Sequence, residues 1–143
     1  MQLHGEYQHR IDPQGRVAIP ASYRESFKAG IYLMKGFDPC VWAFTPMEWE
    51  SYSAPYAAMS ANSRMARTLR RRVFSTTFKL DLDRQGRAVL PQPLRQYAGL
   101  QDEVVIAGAG TWLEMWDKGR WEQQLVEMEA ADLDFPEPGV PGA

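Results

Sequence analysis

One short phrase occurs twice in this chain and constrains its fold more than any other feature. Asp12-Pro13-Gln14-Gly15-Arg16-Val17-Ala18-Ile19-Pro20 is followed by Arg24, and Asp83-Arg84-Gln85-Gly86-Arg87-Ala88-Val89-Leu90-Pro91 is followed by Arg95. Every matched Asp, Gln, Gly, Arg and Pro keeps one offset of 71 residues. A constant offset of that kind marks an internal duplication, so the fold has to be assembled from two like units.

Inside the phrase, a Gly after polar residues separates an alternating stretch (Glu6-Tyr7-Gln8-His9-Arg10-Ile11) from a β-branched one (Val17-Ala18-Ile19). That pattern predicts a hairpin. Gly15 and Gly86 supply the positive φ of the turn, and Asp12 and Asp83 offer carboxylates to backbone amides across it. Arg16 and Arg87 sit where the chain leaves the turn, each four residues after its carboxylate. Two readings stay open: a turn-locking Asp–Arg pair at a solvated tip, or a tip that presents Arg to DNA phosphate or a guanine edge. Arg10 and Arg84, beside the turns, add charge to the second reading. Pro20 and Pro91 stop the second strands, since proline cannot donate to a ladder. The residues that follow, 21–27 and 93–100, suit short helices, with Gly99 just past a helix end.

The duplication extends further. Residues 31–34 and 41–44 read as strands, and Thr45-Pro46-Met47-Glu48 carries a helix start, with Thr as cap, Pro first and Glu three residues after the cap. Aligning Val104 with Tyr32, Leu113 with Val41 and Trp121 with Trp49 gives each half the order β-β-α-β-β-α. A repeat of some fifty residues buries too little apolar area to offset its chain entropy. The halves are therefore expected to share one core, most simply a pseudo-two-fold β-barrel. The expected class is mainly β with short helices (α+β), with repeats at 1–58 and 76–130, a basic linking helix at 59–75 and a disordered tail at 131–143. In the linking helix, Met65, Leu69 and either Arg72 or Val73 share one face, and Arg64, Arg67 and Arg71 another. That basic face is read either as solvated or as a phosphate contact.

Composition limits the function classes. The chain has 143 residues, 45% of them hydrophobic, enough for one ordinary domain. Cys40 is its single cysteine, which excludes an internal disulfide framework and fits a reducing compartment. The first residues lack an apolar signal region and no window approaches a membrane span, so a cytoplasmic protein is expected. The formal charge of −2 is uneven: residues 123–143 hold five acidic groups and no Lys or Arg, leaving 16 basic against 13 acidic groups before them. A mildly basic body is compatible with a nucleic-acid partner.

Catalytic signals are weak. His4 and His9 lack partners at metal spacing and read as strand-surface residues. Asp81 and Asp83, alternating with leucines, share a strand face and suggest at most an incomplete divalent-ion pair for nuclease work. Trp42, Phe44, Trp49, Trp112, Trp116 and Trp121 are better explained as shared core and interface than as a base-stacking platform. No enzyme, cofactor or metal is expected.

The doubled Asp-x-x-Gly-Arg phrase with its trailing Pro and Arg, the opening Gly5-Glu6-Tyr7-Gln8-His9, the Pro46-Met47-Glu48-Trp49-Glu50 helix and Leu94-Arg95-Gln96-Tyr97-Ala98-Gly99-Leu100 together resemble the MraZ family. The likeness covers about residues 1–128. It implies two swapped-hairpin modules like those of the AbrB and SpoVT regulators, a barrel shared by both, and several chains closing into a ring. It also implies sequence-specific, nucleoid-associated transcriptional regulation at tandem DNA repeats upstream of the family's own operon, in the division and cell wall gene cluster. By that resemblance Arg16 is the residue expected at the DNA, with Arg87 its counterpart. The rival reading is an assembly or scaffold protein that binds no DNA.

Overall fold

The computed structural model describes residues 2–131 and 137–139. The first repeat contributes β1 (Glu6–Arg10), β2 (Arg16–Ala18), two 3-10 turns (Ala21–Tyr23 and Glu25–Phe27), β3 (Ile31–Lys35), β4 (Val41–Phe44) and helix α1 (Pro46–Ala57). Helix α2 (Arg64–Phe74) follows, then β5 (Phe78–Leu80), β6 (Arg87–Val89), α3 (Gln92–Ala98), β7 (Glu103–Gly108), β8 (Leu113–Asp117) and α4 (Lys118–Ala131). Of the tail expected to be disordered, residues 132–136 and 140–143 lie outside the described residues, and Ala131 closes α4.

Local signals act where the sequence places them. Thr45 caps α1 by accepting the Glu48 N–H at 3.3 Å, with Pro46 opening the helix. Gly99, at φ 65°, terminates α3 in the left-handed conformation.

Strand pairing is less local than the expected hairpins. β1 does not pair with β2; it pairs with β7, while β5 pairs with β3, β2 with β6 and β4 with β8. All four pairings are antiparallel and all join one repeat to the other, whereas β3–β4 and β7–β8 stay within a repeat. The expected turns survive, but their two arms are joined by one rung, the Asp12 N–H on the Arg16 carbonyl at 3.1 Å and its counterpart from Asp83 to Arg87 at 2.9 Å. Burial explains the exchange. A β2–β6 ribbon laid over the sheet places Val17, Ile19, Ala88 and Leu90 fully out of solvent, each large apolar side chain contributing on the order of 1.5–3 kcal/mol.

The expected closed barrel is not present among the described residues. Six strands form an open sheet in the order β1-β7-β8-β4-β3-β5, and β2 and β6 form a separate two-stranded ribbon. The ribbon crosses one face of the sheet instead of joining its edges, so β1 and β5 remain outer strands. Their exposed Glu6, Gln8, Arg10 and Lys79 discourage further pairing. The fold is mixed α+β, mostly antiparallel.

Two cores result, one on each face of the sheet. Ile31, Leu33, Val41, Val104, Ile106 and Met115 point toward the ribbon, Phe27 and Leu94. Met34, Trp42, Phe44 and Trp116 point the other way, onto Trp49 of α1 and Val73 of α2. Trp112 stacks on Trp42 with ring centroids 4.6 Å apart.

The sheet also corrects one alignment. His9 faces Val104 and Leu80 faces Ile31. His9 and Leu80 are repeat equivalents, so Val104 corresponds to Ile31 and not to Tyr32. A slip of one residue would exchange the two faces of the strand; Ile31 and Val104 share the first core, while Tyr32 packs on the second.

Helix α2 buries Ala66 and Val73, and Met65 is 74% exposed. Three of its arginines, half-buried, reach backbone carbonyls. Arg67 donates to Ala61, Arg70 to Tyr56, Ala57 and Met59 at the end of α1, and Arg72 to Gly36. Among the described residues no helix is long and apolar enough to cross a membrane.

Candidate nucleic-acid interface

Both turns have the same construction. Asp12 Oδ1 accepts the backbone N–H of Gln14 and of Arg16, each at 2.9 Å, while Oδ2 accepts Arg16 Nε at 2.6 Å. Asp83 repeats this with Gln85, Arg87 and Arg87 Nε at 2.9, 2.9 and 2.8 Å. Amide donation from the arginine, aided by its guanidinium, holds each carboxyl below the ordinary carboxylate range. Gly15 and Gly86 take φ of +82° and +76°, the conformation that closes the turn and that side chains disfavour.

The β2–β6 ribbon brings the turns together. Arg16 faces Val89 and Ala18 faces Arg87, so these four side chains form its outer surface while Val17 and Ala88 point inward. Each turn is also bonded to the opposite repeat, the Ile19 N–H on the Gly86 carbonyl and the Leu90 N–H on the Gly15 carbonyl, both at 2.9 Å. Arg87 Nη1 lies 3.8 Å from Asp12 Oδ2, which ties the two Asp–Arg pairs across the pseudo-dyad.

Arg16 and Arg87 are neither outstretched nor buried: their side chains are 31% and 28% exposed. In each pair the carboxylate takes Nε of the guanidinium. Gln14 Oε1 accepts from Arg16 Nη2 at 3.1 Å. Arg84 is exposed and makes no hydrogen bond or ion pair among the described residues. Arg10 stands apart from the ribbon, on β1, where Asp102 at 3.1 Å and Glu103 at 3.6 Å offset its charge.

Asp81 and Asp83 do not share a strand face, since β5 ends at Leu80, and both Asp83 oxygens are engaged within its own turn. Cys40 is buried and its thiol is pushed up by that burial.

Sequence reasoning gave no role to Arg24 and Arg95, although both trail the repeated phrase at the same distance. Each packs beneath the turn glycine of the other repeat. A Cβ on Gly86 would lie 2.4 Å from Arg24 Nε, and one on Gly15 would lie 3.1 Å from the Arg95 guanidinium. Arg24 Nε donates to the Ile19 carbonyl at 3.1 Å. Burial and the Arg24 charge lower the pKa of His9 on the adjoining β1. The shared spacing was the available signal; the crossing of the repeats that gives it meaning was not visible.

The family described as "MraZ protein, putative antitoxin-like" matches twice, at residues 2–72 and 73–137. Among curated proteins, the "Transcriptional regulator MraZ" of Roseiflexus castenholzii is 40% identical over 126 residues, 88% of either chain. That of Acetivibrio thermocellus is 40% identical over 84% of either chain, and that of Micrococcus luteus 38% identical over 96%.

Proposed function

The chain belongs to the MraZ family, and from that premise we propose that it is a sequence-specific DNA-binding transcriptional regulator acting on tandem repeats upstream of its own operon. The observation that carries this reading is the ribbon surface with Arg16 and Arg87 set diagonally on it. The major groove of B-DNA admits a two-stranded ribbon, and a guanine there offers O6 and N7 to one guanidinium. Asp12 and Asp83 hold Nε and so orient each guanidinium, and the terminal nitrogens that Gln14 and Asp12 do not engage remain for that contact. Pre-set guanidinium groups lose less freedom on binding than free ones. Arg84 adds a backbone contact beside the second turn. Arg10 reaches DNA by exchanging Asp102 and Glu103, exposed partners of a kind worth little in water.

The protein acts as a ring homo-oligomer, cytoplasmic and associated with the nucleoid. Met47 and Met65, 76% and 74% exposed, support contact between copies. One ribbon per subunit makes each DNA contact weak, and affinity rises when several ribbons meet several sites. Gel shifts on the DNA upstream of the gene test this. Tandem sites should bind at least about 100-fold more tightly than one isolated site. Equal affinity for both would remove the multivalent part of the proposal. Binding to neither, with the oligomer intact, would favour an assembly protein.

A further inference from the structure

The ribbon has two flanks related by the pseudo-dyad, and their chemistry differs. Beside the second turn, Arg24, Lys28 and Arg84 line an open cleft of about 210 Å³ together with Glu25, Asp83 and Gly86. Arg24 is fixed there against the backbone of Gly86 and bonded to the Ile19 carbonyl. Arg84 is exposed and without a partner among the described residues. Lys28 meets Glu25 at 3.9 Å, both ends more than three-quarters exposed, a pair that solvent screens. Asp83 is occupied by Arg87. The equivalent positions beside the first turn are Pro13 for Arg84, Gln96 for Glu25 and Gly99 for Lys28. The guanidinium nearest Gly99, that of Arg120, donates to the Tyr97 carbonyl at 3.4 Å.

We propose that the Arg24–Lys28–Arg84 cleft is a DNA phosphate-binding site on one side of the ribbon, so that the protein grips one DNA strand at this flank and not its symmetry mate. The proposal rests on the DNA-binding reading above. A ribbon seated in a groove has a sugar–phosphate backbone along each side, and a cluster of three cations beside it meets non-bridging oxygens rather than base edges. Arg24 comes from the first repeat and Arg84 from the second, so the site exists only because the repeats cross.

The test uses fluorescence anisotropy of the full-length protein over a salt series, with two labelled duplexes: the tandem repeats upstream of the gene, and a scrambled duplex of equal length. Lys28→Ala and Arg84→Ala carry it, since both side chains are exposed; Arg24→Ala would disturb the turn as well. Each variant should weaken binding to both duplexes by a similar factor, roughly five- to ten-fold at 0.1 M salt. Each should also lower the slope of log K against log salt by about 0.9. Gln96→Ala, on the opposite flank, should change neither. An unaltered slope in both variants, while the wild type binds, overturns the cleft and leaves the DNA-binding reading standing. A loss confined to the tandem duplex also overturns it, because that marks base readout. A wild type that binds neither duplex overturns both.

Discussion

A carboxylate with one oxygen on two backbone amides and the other on a guanidinium has little freedom left, and that is the condition of Asp12 and Asp83. Both are held below the ordinary carboxylate range. Their stabilisation is therefore complete above the unfolded value of about 4 and is lost as pH falls through the lower folded value. In melts from pH 7 to pH 3, Asp12→Asn/Asp83→Asn should be less stable than the wild type at pH 7, with the gap narrowing toward pH 3. A gap that stays constant would show that the charge contributes nothing. Gly86 tests the turn differently. Alanine at φ +76° costs about 1–2 kcal/mol, and its Cβ also meets Arg24. Gly110, at φ +92°, has no atom within 4 Å of an added Cβ. Gly86→Ala should therefore melt lower than Gly110→Ala, and equal losses would mean that Arg24 does not support the turn.

At the scale of the element, the repeats are interdependent. β1 and β2 pair with β7 and β6 of the second half, and β4 adds β8 of the second half to β3 of its own repeat. Residues 1–75 or 76–143 alone, as dilute monomers, should lack ordered strands by far-ultraviolet circular dichroism, and equimolar mixing should restore them. A half that orders only as a dimer agrees, because a second copy supplies the missing strands. A monomeric half with native-like structure would contradict the crossing. This non-locality is also why the sequence was legible only in part. The Thr45 cap, the Gly99 terminator and the Asp-Gly turns depend on neighbours within a few residues and could be read directly. Partner choice could not: the alternation of β1 suits any strand with one buried face, and nothing within residues 6–11 points to β7. The same blindness hid Arg24 and Arg95, whose positions beneath the opposite turns exist only after the exchange.

Across the whole molecule, a formal charge of −2 coexists with a cationic surface around one ribbon, so the sum conceals the arrangement that matters for binding. The ribbon is anchored in the core on one face of the sheet, with Val17 and Ala88 fully buried beneath the outward Arg16 and Arg87. Substituting those arginines should therefore change recognition without unfolding the protein. The most direct measurement is the ratio of affinities for tandem-repeat and scrambled DNA in wild type, Arg16→Ala and Arg87→Ala, with melting temperature and oligomer size measured alongside. A lost guanine contact of about 1–3 kcal/mol per subunit predicts that the ratio falls at least about five-fold in each variant while fold and assembly hold. An unchanged ratio in both folded variants would contradict the assignment of DNA reading to the ribbon.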